Sequence, residues 1–187
     1  MKQLLSALAI LILVPVALIA GLGMAWSVDD GNLCLAGCDL PGAGSARPFA
    51  GQDGYVDDPT SSGFITLRMM HVLNEIQQHF EWPWGVACWD EHAWNPSSDH
   101  PQGRACDYTV GKLGAFPDPA DQERGWLLAE WLRVSSDALW VSYVIFDGKI
   151  WSKSRHDEGW RTYDGGGVYN PEAATGGHFD HVHVSVR

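Results

Sequence analysis

The stretch that decides the fold is "HFDHVHVSVR", residues 178–187. From residue 181 onward it alternates, and successive side chains of a strand point to opposite faces. Val182, Val184 and Val186 therefore share one face, suited to packing against helices, while His181, His183 and Ser185 share the other and face a cleft. Two histidines two apart in a strand are placed to bind one metal ion. The polar outer face of an ordinary half-buried strand has the same pattern, so the strand alone leaves both readings open.

Working outward, residues 141–146, the turn Asp147-Gly148 and residues 149–152 read as a β-hairpin, since Asp-Gly is the strongest short-range hairpin signal. Gly165 to Gly167 and residues 170–177 are loops that return the chain to the last strand. Before the hairpin, Asp118 as N-cap, Pro119 at the first helical position and acidic Asp121 and Glu123 in the first turn mark a helix. Its apolar stripe is Leu127, Leu128, Trp131 and Leu132. Residues 106–110 follow the Gly103 turn as a strand, and residues 86–89 form a shorter one. Over 64–80, Ile65, Met69, Val72, Leu73, Ile76 and Phe80 fall on one helical face, leaving His71 opposite and His79 at the margin. The order predicts an α+β domain: a small, mostly antiparallel sheet with helices packed on one face.

The 187 residues have room for a leader and one domain. A net charge of -11 with no Lys/Arg cluster argues against nucleic acid, because phosphate binding needs a basic footprint. After Lys2, residues 4–26 carry no ionisable side chain, long enough for a membrane-spanning hydrophobic helix oriented N-in. Gly23-Met24-Ala25 also fits signal cleavage, and both readings export the rest of the chain. Leu35-Ala36-Gly37-Cys38 resembles a lipidation signal, but Ser27 to Leu33 separate it from the apolar run. Residues 27–62, rich in Gly, Pro, Asp and Ser, read as an extracytoplasmic linker, and 63–187 as the folded domain. In an oxidising compartment proximity favours Cys34 with Cys38 and Cys88 with Cys106 among three connectivities.

A second cluster lies in "SDHPQGRACD", residues 98–107. It places His100 in a loop and Asp107 at the head of a strand, with Gly103 permitting a tight turn between them. Catalytic zinc takes three protein ligands of this kind and leaves one position to water. His100, Asp107 and one C-terminal histidine supply three, and the remaining histidines could move protons for hydrolysis.

This string fits SxHxxGxAxD. With the closing "HVH" it resembles the zinc peptidases that group D-alanyl-D-alanine metallopeptidases, lysostaphin-type endopeptidases and the hedgehog signalling domain. "HFDHVH" looks most like the murein endopeptidase type, where HxxHxH replaces the ExxH of the carboxypeptidases. The resemblance spans roughly residues 64–187. It implies zinc held by His100, Asp107 and His183, with His181 as base or transition-state donor and His178 a further imidazole in the pocket. Reading "HFDH" against ExxH would instead make His181 the ligand and put His178 in the glutamate's place. Ser98 stands where the carboxypeptidase branch contacts substrate, though a loop hydrogen bond would explain it equally. Carboxypeptidases of this type carry an arginine before SxH, and residues 82–99 contain none, offering Trp89, Glu91, His92 and Trp94 instead. Arg104 is a candidate substrate contact that can equally point elsewhere. The resemblance thus implies an exported peptidase acting on peptidoglycan peptides, an endopeptidase rather than a D,D- or L,D-carboxypeptidase. A zinc-stabilised, non-catalytic wall-binding module is the other expectation. Trp140, Trp151, Trp160 and Tyr163 are read as packing residues before a substrate groove, and His156 as a residue of a polar loop with no partner at ligand spacing.

Overall fold

The computed structural model describes residues 27–29, 32–34 and 45–187. The apolar helix expected at 1–26, its cleavage site, the lipidation motif and the Cys34–Cys38 pairing lie outside the described residues. Among those residues no helix is long and apolar enough to cross a membrane.

Ser27–Asp29 (β1) and Asn32–Cys34 (β2) pair antiparallel, as do Tyr55–Asp57 (β3) and Phe64–Thr66 (β4). Leu67–His79 (α1) follows. Val86–Ala87 (β5), Ala105–Thr109 (β6), Pro119–Val134 (α2), Ser136–Leu139 (α3), Val141–Phe146 (β7), Lys149–Ser152 (β8), Arg161–Thr162 (β9) and His181–Val186 (β10) are the remaining strands and α-helices among the described residues. The main sheet runs β5-β6-β10-β7-β8-β9, antiparallel throughout. The domain is thus α+β, and its C-terminal strand lies inside the sheet, with His183 opposite Asp107 on β6 and Ile145 on β7.

Val182, Val184 and Val186 are buried in one cluster with Met69, Val72, Leu73 and Ile76 of α1 and Leu128, Trp131 and Leu132 of α2. The expected signals at α2 hold: Asp118 Oδ1 accepts from the N–H groups of Ala120 and Asp121, and Pro119 opens the helix. Capping moves the start of α1. The periodicity predicts a helix from residue 64, yet Thr66 is extended and its hydroxyl accepts from Met69 N–H, so the helix begins at Leu67. Phe64 and Ile65, both β-prone, pair with β3 instead. The strand expected at 86–89 stops at Ala87, because Cys88 N–H donates to Thr60 Oγ1 and Trp89 N–H to Asp58 Oδ2.

Residues 45–62 have the composition of a linker and are tied to the domain by polar bonds. Phe49 N–H donates to Ala138 O, Arg47 bonds the buried Glu75 of α1, and buried Asp58 accepts from Thr60, Ser61 and Trp89. Polar and glycine-rich sequence can be ordered this way without an apolar face of its own.

Candidate metal centre

Each residue of the candidate centre is placed by a local device. At Gly103 φ is +65°, and an added Cβ would lie 2.6 Å from Phe64 O, so glycine lets this turn press against β4. Gly103 N–H donates to His100 O, and Gly103 O accepts from Thr66 N–H. The turn holds the His100 loop above the head of β6. Cys106 on β6 is disulfide-bonded to Cys88, the pairing expected from proximity. Cys88 O in turn accepts from His100 Nδ1, which leaves Nε2 of that ring facing Asp107 at 3.3 Å.

On the facing strand, His183 Nδ1 donates to Asp107 Oδ1 over 2.8 Å. Its Nε2 is buried without a hydrogen-bond partner, an expensive state for a polar atom that has no further role. His100, Asp107 and His183 each offer a ligand atom within 4.8 Å of the others, and together they could hold a metal ion. Three atoms so spaced share a centre within roughly 3 Å of each, against the roughly 2 Å of zinc–ligand bonds. The donor set, two imidazoles and a carboxylate, fits such an ion.

His181 lies beside this group, its Nε2 3.8 Å from Asp107 Oδ1. Its Nδ1 donates to Asp180 Oδ1 over 2.6 Å, which fixes the tautomer and leaves the Nε2 lone pair on the cluster side. Asp180 is fully buried and is held by Thr175 Oγ1 and Gly114 N–H, both at 2.6 Å. His178, at φ +57°, packs 4.5 Å from His181 and 5.6 Å from His183, with Tyr163 edge-on at 4.9 Å. His178 is thus a fourth imidazole beside the group.

Electrostatics separate these groups. Burial pushes the Asp107 carboxyl up, but the charges of His181 and His100 and bonds from His100 and His183 hold it well below its ordinary 3.8. Burial also pushes His181 and His100 down. Asp107 and Asp180 outweigh that at His181, as do Asp107 and Cys88 O at His100, and both stand above 6.5. His178 is driven well below 6.5 by burial and by the adjacent His181 and His183. Burial leaves His183 lowered despite Asp107.

The remaining expected residues fall outside this group. Ser98 Oγ accepts from His100 N–H at 3.4 Å, the loop role. Arg104 is bonded to Asp99 and lines a groove of about 510 Å³ with Tyr55, Phe64 and Gln102, not with the cluster. Trp151 is buried in the core, and Trp160 Nε1 donates to Glu130. His71 Nε2 donates to Arg47 O and its ring lies against Phe49, and His79 packs on Trp131.

Several residues at the centre carry no motif. His92, at φ +46°, stacks flat on His100 with centroids 4.8 Å apart, and exposed Trp94 lies tilted against His92. Asp180 had one available signal, its place directly before His181. Tyr143 stacks on His183, which only the β7–β10 register reveals.

No curated protein and no solved structure matches this chain. Residues 61–174 match the family model described as VldE, C-terminal domain, a span that includes His100 and Asp107 and ends before β10. The chain belongs to the family of the VldE C-terminal domain.

Proposed function

We propose that the domain is an exported zinc-dependent peptidase that hydrolyses peptide bonds of cell-wall peptidoglycan as an endopeptidase. One observation carries this reading: His100, Asp107 and His183 converge while a third imidazole, His181, stands beside them on a buried carboxylate. A structural metal site prefers four protein ligands and has no use for an oriented base. Two imidazoles and one carboxylate suit zinc. Bound there, zinc supplies polarisation of the scissile carbonyl and an acidified water.

The protein's own part is proton handling and orientation. Asp180 keeps the His181 proton on Nδ1, so Nε2, beside Asp107, can take a proton from the attacking water and pass it to the leaving amine. His178, kept neutral, supports this pocket without adding charge beside His181. Arg104 is committed to Asp99, which leaves it poorly placed to capture a free substrate carboxylate and favours internal cleavage. Export rests on the uncharged run at 4–26, as anchor or signal, and the wall substrate on the resemblance of the motifs.

The test joins metal analysis of the purified protein with mass spectrometry of muropeptides released from sacculi by wild type, Asp107→Ala and His181→Ala. Zinc near one equivalent, with release abolished in both variants, is the expected result. A protein that binds no metal sinks the reading. Zinc with binding to sacculi but no release would establish the wall-binding module instead.

A further inference from the structure

The two histidines of the cluster are oriented by different means. His100 has a hydrogen-bonded partner behind it in Cys88 O, the usual device that fixes a ligand ring. His183 is bonded only within the cluster: its Nδ1 donates to Asp107, and its Nε2 has no hydrogen-bond partner. Besides that bond, its ring is packed by Tyr143, which lies nearly parallel at 16° and 5.3 Å, with His100 and His178 against it edge-on.

Tyr143 is itself held at its far end. Its hydroxyl donates to Asp99 Oδ2 at 3.0 Å, and Ser185, two residues beyond His183 on the same face of β10, donates to that oxygen at 2.5 Å. Asp99 Oδ1 accepts from Arg104. This carboxylate directly precedes His100 in the chain, and its partners lie on β7, on β10 and just before β6.

We propose that Asp99 is the positioning residue of the metal centre, locking the His100 loop to the strand of His183 and to the ring beneath it. Asp99 is not one of the three candidate ligands. It acts through Tyr143 and Ser185 on His183, and through the backbone on His100. The inference rests on the metal reading of the cluster. Losing such an outer partner typically weakens metal affinity about 10- to 100-fold.

The experiment measures cobalt(II) affinity by chelator competition, together with the visible spectrum of the cobalt-loaded full-length protein. Wild type, Asp99→Ala, Asp99→Asn and Tyr143→Phe are compared. Asp99→Ala is expected to lose about 10- to 100-fold in affinity and to shift the ligand-field bands. Asp99→Asn, which keeps an acceptor for one hydroxyl, should recover part of both. Tyr143→Phe keeps the ring and loses the tether, so it should fall between and decides the matter if Asp99→Ala does not fold. Cobalt bound by wild type, with Asp99→Ala or Tyr143→Phe unchanged in affinity and spectrum, overturns the positioning role alone. A wild type that takes up no cobalt overturns the metal reading and this inference with it.

Discussion

Val182, Val184 and Val186 on one face of β10 sit in the buried cluster with α1 and α2, while His181, His183 and Ser185 on the other face are buried too. Non-directional apolar contact holds the first set, and bonds to Asp180, Asp107 and Asp99 hold the second. The valine face should therefore respond to lost volume and leave the chemistry alone. The histidine face should respond to the loss of a single oxygen.

The sharpest break of this comparison is Asp107→Ala. It removes the carboxylate shared by His100, His181 and His183. Metal binding should be lost and muropeptide release should fall by about a thousandfold or more, as expected when the group organising a catalytic unit is removed. Equilibrium dialysis with zinc and single-time-point muropeptide analysis measure both. Retained stoichiometric zinc would show that the histidine face does not depend on this oxygen pair.

The Cys88–Cys106 disulfide joins the two sides, since Cys106 lies in the apolar cluster and Cys88 O holds His100. Closing a loop of 18 residues is worth about 3 kcal/mol. Reduction, or Cys88→Ala with Cys106→Ala, should lower chemical-denaturation stability by that order and weaken zinc affinity about tenfold through the freed His100. A fall in stability with zinc affinity unchanged would confine the disulfide to the apolar side.

Val184→Ala acts on the apolar face only. A fully buried valine truncated to alanine should cost about 2 kcal/mol, seen as a lower denaturation midpoint at unchanged slope. Zinc affinity should stay within about twofold, and a larger loss would show that the faces are not separable.

The sequence made the two faces legible because alternation is local, and the Asp147-Gly148 hairpin, the Asp118 cap and the disulfide were legible for the same reason. SxHxxGxAxD marked His100 and Asp107, and the final strand marked His183 and His181. What stayed hidden depends on distant pairing. Asp99 meets Ser185 across 86 positions and Tyr143 across 44, and no spacing rule records such contacts. His92 stacks on His100 through a left-handed backbone in a loop without periodicity. The strand at 64–66 was masked by apolar residues at helical spacing, although Thr66 carried the capping signal.

Glu75 supplies the smallest and most discriminating test, because it is a buried carboxylate on the helical side of the molecule. Burial pushes its carboxyl up, and the backbone N–H and guanidinium of Arg47, aided by His71, outweigh this and hold it below 4.5. A carboxyl lowered in the folded state adds stability above its unfolded value, and that stability is lost as pH falls through the folded one. Glu75→Gln should thus cost about 1 kcal/mol at neutral pH, with the gap to wild type closing as pH falls below 4.5. Urea titrations at several pH values measure it, and zinc affinity at neutral pH should not move. If the gap instead widened in acid, the Arg47 pairing would not be what stabilises this carboxylate. If zinc affinity fell with it, the polar bonds of the helical side would reach the metal centre, and the division between the two faces of β10 would have to be redrawn.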